Sequence, residues 1–215
     1  MDLPGWQKIY EELKDQNFQI VAAAQDTGGE AAAGKFYEAA KATFATLIDT
    51  QHLVSSLYGM VNVPTGVWID EQGRMVRPLE TAYTMNRTLS LGGKTTTIQG
   101  EPYVAGLRDW VSKGGASKYA MKPGELTAAL KSRTPQEMEA DASFRLAVWL
   151  HDKGKDDQAS QFFQRAQQLN PDSWNYHRQE WSFTPKEAGA KWLKKYQSND
   201  KPYYDWMKPP LEKQP

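Results

Sequence analysis

Apolar residues recur at spacings of three and four from the start of the chain: Leu3, Trp6, Ile9, Tyr10 and Leu13 form the stripe of an amphipathic helix. Pro4 suits its first turn, where a missing N–H costs no helical hydrogen bond. After Gln16-Asn17 the pattern changes to an uncharged run, Phe18 to Ala24, closed by Gln25-Asp26-Thr27-Gly28-Gly29. Such a run predicts a buried parallel strand. Ala-rich Glu30 to Phe44 predicts a helix and Ala45 to Ile48 a short extended segment. Asp49-Thr50 can cap a further helix from about Gln51 to Tyr58. Val61 to Asp70, interrupted by Pro64, predicts a strand that turns at Glu71 to Arg74 and returns as Met75 to Arg77. Helices alternating with strands in this order are the pattern of an α/β domain.

Residues 81–100 are polar and read as a loop or insertion. Glu101 to Lys113 carries Val104, Leu107, Trp110 and Val111 on one helical face and completes a first unit, residues 1–113. Residues 114–124 read as a linker. From Glu125 the texture is helical. Pro135 to His151, with Met138, Ala142, Leu146, Trp149 and Leu150, is joined by a tight turn at Asp152 to Lys155 to a second helix ending before Pro171. An antiparallel hairpin over 125–171 is the expectation. The tail, 172–215, holds Trp174, Tyr176, Trp181, Trp192, Tyr196, Tyr203, Tyr204 and Trp206, too much aromatic surface to leave wet, so it is expected to dock.

Composition narrows the chemistry. The 26 Lys and Arg balance the 26 Asp and Glu, so nothing draws the chain generally to nucleic acid or an anionic membrane, and neither is expected as a partner. No cysteine occurs among the 215 residues, which removes thiolate catalysis, dithiol exchange and cysteine-ligated metals. No apolar run reaches the roughly 20 residues that span a bilayer. Met1 to Gly5 shows no secretory signal, so a cytoplasmic location is expected for the chain as written.

The helix WQKIYEELKDQ, the strand FQIVAAAQD, the segment TLIDTQHLVSSLYGMVNVPT and the hairpin GVWIDEQGRMVRP lie together between Trp6 and Pro78. In order and spacing they resemble the thioredoxin-like domain of TlpA/ResA-type redoxins, with Tyr58, Gly59, Val63, Pro64, Thr65, Trp68, Ile69, Asp70 and Gly73 at the matching positions. The resemblance implies a cis Val63–Pro64 bond, relatives that are exported at full length, and a strand bearing Trp-Cys-x-x-Cys immediately before the first helix, where this sequence begins. The fold class expected is therefore α/β: an incomplete thioredoxin-like domain followed by an α-helical C-terminal region. In the family's sheet the absent strand lies between Phe18–Ala24 and Thr65–Ile69. Those strands would then close up directly, accept Thr95–Ile98, or borrow a strand from a second chain, and the last favours a homo-oligomer. Leu146 to Pro171 is similar to a single tetratricopeptide hairpin, with Gly154, Ala159, Phe163, Ala166 and Pro171 in place, but a solenoid needs about three repeats.

Two kinds of function follow. The first is a redox-inactive binding or scaffold module for a peptide or protein, because in thioredoxin-like folds the edge before the cis-proline accepts an extended peptide. Asn62, Val63, Pro64 and Thr65 are its expected contacts. The second is a cysteine-independent hydrolase using carboxylate and histidine chemistry, metal-assisted or not, for which Asp49 and His52 are weak candidates as an acid–base pair. Against it, and favoured over it, stands the reading that Asp49 caps the helix and His52 sits in its first turn. Gly29 to Lys35 matches the start of a phosphate-binding loop, but Phe36 stands where a magnesium-binding hydroxyl is required. His52, His151 and His177 lie far apart, so no metal site and no cofactor are expected.

Overall fold

The computed structural model describes residues 2–130, 132–200 and 203. In chain order these form α1 (Leu3–Leu13), β1 (Val21–Ala24), α2 (Gly29–Ala40), β2 (Ala45–Ile48), α3 (Leu53–Tyr58), β3 (Thr65–Ile69) and β4 (Met75–Thr81). Next come β5 (Arg87–Leu91), β6 (Lys94–Ile98) and α4 (Gly100–Lys113), and then the helices α5 (Pro123–Ala129), α6 (Pro135–Asp152), α7 (Asp156–Leu169), α8 (Trp174–Ser182) and α9 (Pro185–Ser198). The class is mixed α/β. None of the described helices is long and apolar enough to cross a membrane.

The strands do not join into one sheet. β1 pairs in parallel with β2, β3 pairs antiparallel with β4, and β5 pairs antiparallel with β6. Among the described residues neither direct closure of β1 on β3 nor insertion of Thr95–Ile98 between them occurs: β1 pairs with β2 alone, β3 with β4 alone, and Thr95–Ile98 with β5. Of the two readings of 81–100, loop or insertion, that hairpin corrects the loop. Gly92 (φ +58°) and Gly93 (φ +79°) supply the two left-handed positions that a two-residue turn of this hand requires. The stretch read as a linker is also packed. Ser117 and Ala120 are buried, and the Met121 N–H donates to Val76 O at 2.7 Å, tying the segment to β4.

One core lies between α1, α4 and the β3–β4 pair: Ile9, Leu13, Trp68, Ala82, Tyr103, Val104 and Leu107, flanked by Trp6, Phe18 and Trp110. Trp68 stacks on Trp110 with centroids 5.1 Å apart, and its Nε1 donates to Tyr103 Oη at 2.9 Å. Gly66 makes this arrangement possible, since a Cβ there would lie 2.3 Å from Tyr103 Oη. Beneath it sits a buried ion pair, Arg77–Glu80 at 2.5 Å, with the guanidinium 5.1 Å from the Trp68 ring and donating to Tyr119 O. Burial pushes the Glu80 carboxyl up, against the opposing pull of Arg77.

A second core joins α6, α7 and α8. Its small residues Ala140, Ala147, Ala159 and Ala166 let the helices approach, and Phe144 fills the gap against Phe163 and Tyr176. Thr134 starts α6 with a reciprocal cap, accepting the Glu137 N–H at 3.2 Å while Glu137 accepts the Thr134 N–H at 2.7 Å. Trp149, expected inside, is 48% exposed. A third core of Trp174, Trp181, Tyr196 and Tyr203, with Trp192 packed against it, gathers the described part of the tail. Thr96 Oγ1 and Tyr196 Oη, 3.1 Å apart, link it to β6. Tyr204 and Trp206 lie outside the described residues.

Candidate functional site

Backbone direction alternates along a strand, and this decides which groups each pair leaves over. On β1, Ile20 O accepts the Ala45 N–H at 3.2 Å and Ala24 O accepts the Asp49 N–H at 2.7 Å. Residues 20, 22 and 24 therefore face β2, and the N–H and C=O groups of Val21 and Ala23 point from the opposite edge. On β3, Pro64 O accepts the Ala82 N–H and the Asp70 N–H donates to Arg74 O. The two register shifts between Gly66 and Ile69 put the extra residues on β4, so β3 keeps its alternation, with even-numbered positions facing β4 and Val67 and Ile69 facing away. Each two-stranded pair has two outer edges with no strand on them among the described residues, and those of β1 and β3 are the ones that expose Val21 and Ala23 and Val67 and Ile69. Side chains on the same strands are unusually bare for apolar residues: Val21, Leu47 and Ile69 are all exposed.

The loop entering β3 contains the cis Val63–Pro64 bond. Asn62 is fully buried. Its Oδ1 accepts the Val63 N–H at 2.9 Å, and its backbone O accepts the Thr65 hydroxyl at 2.7 Å. Val63, Pro64 and Thr65 are half-buried. Of the four positions expected to touch a partner, Asn62 is the one placed inside the molecule.

What lies over this loop is α8. The Asn175 N–H donates to Val61 O at 3.1 Å and its Nδ2 donates to Met60 O at 2.8 Å. One turn later, Gln179 reaches the end of β1: its Oε1 accepts the Thr27 N–H at 3.3 Å, and its Nε2 donates to Thr27 Oγ1 at 2.5 Å. The same Oε1 accepts from His52 Nε2 at 2.8 Å. A single helix face therefore ties the β1 side to the β3 side where no ladder does. Sequence reasoning missed Asn175 and Gln179, and only their burial in the folded molecule marks them.

Asp49 and His52 are engaged separately. Asp49 accepts the Leu53 N–H on Oδ1 at 3.0 Å and the Val54 N–H on Oδ2 at 2.7 Å, so both carboxylate oxygens serve the start of α3. His52 (φ +54°) is buried, edge-on to Phe144 at 5.0 Å, with its Nε2 proton held by Gln179. Burial holds the imidazole below its ordinary range, although the Gln179 bond and nearby Asp49 and Asp26 favour the proton. An imidazole so placed orients α8. It does not face a solvent-borne substrate.

Gly29 to Lys35 forms the first turns of α2, and Glu30 folds over Gly34. A helix leaves no loop of N–H groups to wrap a phosphate. An open cleft of about 750 Å³ runs from Asp26, Thr27 and Lys35 past Phe36 and Thr50 to His151, Ser182 and Phe183. His151 there stacks on Phe183 at 3.6 Å and pairs with Asp156 at 2.7 Å. No three His, Asp or Glu side chains among the described residues gather as a metal site. Compared with protein-family models, curated proteins and solved structures, the chain matches none.

Proposed function

We propose that the chain is a redox-inactive, thioredoxin-like binding module that takes an extended peptide strand along the free edges of β1 and β3, beside Pro64. The observation that carries this reading is the pair of unfilled edges, with Val21 and Ala23 on one and Val67 and Ile69 on the other. Strand addition offers main-chain hydrogen bonds to both and covers the bare side chains of Val21 and Ile69. The absence of cysteine supports the redox-inactive part, and the cis Val63–Pro64 bond and the order of elements support the thioredoxin-like part. A hydrolase built on Asp49 and His52 gains no support, since one caps α3 and the other holds Gln179.

The test selects ligands from a random dodecapeptide library and titrates the best peptide against the whole chain. Val67→Pro removes an edge-facing N–H and leaves the β4 ladder alone, and Ala23→Pro does the same on β1. Each is expected to weaken binding at least tenfold, about 1.4 kcal/mol, while the far-ultraviolet spectrum is unchanged. Ala23→Lys, which keeps the N–H, should bind within a few-fold of the parent. Equal binding by the parent and both folded proline variants would contradict the site.

A further inference from the structure

Helix α6 has two apolar stripes, and only one is used. Ala140, Phe144, Ala147 and Val148 are buried against α7 and α8. On the opposite side Met138 (52% exposed), Ala142, Leu146 (38%) and Trp149 (48%) recur at spacings of four, four and three. They make a continuous stripe about 16 Å long at the helical rise of about 1.5 Å per residue. A helix that is apolar on both sides is normally covered on both.

We propose that this stripe is a self-association surface, on which two copies of the chain pack α6 against α6, antiparallel, across a twofold axis. The occupant is read from the order of side-chain sizes. In an antiparallel pair centred at the level of Phe144, Ala142 of one copy lies level with Leu146 of the other, and Met138 lies within one residue, about 1.5 Å along the axis, of Trp149. Reversal gives the same two pairs, as a twofold contact requires. Each pair is complementary. The flexible thioether of Met138 fits against an indole, and Leu146 fits the space that Ala142 leaves.

Charge agrees with this occupant. The chain carries no net charge to oppose meeting its own copy. Arg145, exposed beside the stripe, forms no ion pair among the described residues, and Asp141 precedes it by one turn on the same flank. Across the twofold axis each guanidinium comes beside the other copy's Asp141. In its own copy that carboxylate is held by Ser56 at 2.6 Å and paired with Arg133 at 3.5 Å, so it is fixed in place and a second guanidinium adds to an existing pair. One helix pair covers less than the roughly 1,000 Å² of stable interfaces, so the dimer is weak, with dissociation in the micromolar range.

Sedimentation velocity on the whole chain from about 1 to 200 µM, a range bracketing micromolar dissociation, tests this. The parent is expected to move from monomer to dimer across the range. Leu146→Glu should stay monomeric throughout, a loss of affinity of at least tenfold, and Leu193→Glu, the same change on exposed α9, should dimerise as the parent does. Circular dichroism establishes that both variants are folded. A parent that is monomeric at the highest concentration overturns the proposal, as does a dimer that survives Leu146→Glu.

Discussion

The helices of the C-terminal half and the strands of the N-terminal half begin from the same requirement, that buried N–H and C=O groups find partners. A helix meets it within its own chain segment. Consequently α6, α7 and α8 can be bound by side chains alone, and their core of Ala140, Ala147, Ala166, Phe144 and Phe163 is almost wholly removed from solvent. A strand meets it only with neighbours on both sides. β1 and β3 have one neighbour each, and their apolar positions Val21 and Ile69 remain exposed. Between the two regions stands α8, which belongs to the helical core through Tyr176 and to the strand region through Asn175 and Gln179. The comparison separates what holds the molecule together from what it leaves available.

The largest expected effect breaks the helical side. Phe144→Ala empties a site packed against Phe163, Tyr176 and His52 and should cost about 3–5 kcal/mol, read as a lower urea midpoint with unchanged slope. Loss below about 1 kcal/mol would show that this core yields readily to a cavity. The bridge comes next. Gln179→Leu deprives His52 and Thr27 of their partners and should cost about 1–3 kcal/mol. In the same variant, proteolysis should open the link between α8 and the strands before α6 and α7 separate.

Acid acts on the same junction. Burial holds His52 low and His177 down to about 3, the latter helped by Lys195. Both imidazoles protonate more readily in the unfolded chain, whose value is about 6.5, so their contribution is complete above that pH. For His177 it is lost as pH falls from about 6.5 towards 3, by up to about 1.4 kcal/mol per unit, and the His52 contribution declines in the same direction below about 6.5. Urea melts at pH 7.5 and pH 5 should show the difference, and His177→Gln should flatten it. A stability that rises on acidification over this range would contradict the burial of both rings. The smallest effect is Asp49→Asn. It keeps one acceptor at the start of α3 and should lower stability by less than about 1 kcal/mol.

Much of this organisation was legible in local chemistry. The Pro4 helix start, the Asp49 cap and the Asp152 to Lys155 turn each depend on residues close together in sequence, and so does the hairpin at Gly92-Gly93, whose flanking RTLSL and KTTTI runs carried a signal that the reading as a loop passed over. The orientation of α6 was not legible. The stripe through Met138, Ala142, Leu146 and Trp149 and the stripe through Ala140, Phe144, Ala147 and Val148 both follow helical spacings of three and four. Which one is buried depends on the small residues Ala159 and Ala166 that α7 presents to it. The bridge was equally hidden, because His52 and Gln179 are 127 positions apart and a glutamine in an aromatic tail has no local signature.

Hydrogen exchange of individual amides in the monomeric free chain tests the unfilled edges most directly. Val21, Ala23, Val67 and Ile69 should exchange fast, while Ala22, Ala24 and Trp68, which face their ladders, should be protected. A saturating library-selected peptide should then slow the first four. Protection of Val21, Ala23 and Val67 equal to that of Ala22 in the free monomer would mean that the edges are already paired, and would contradict the account.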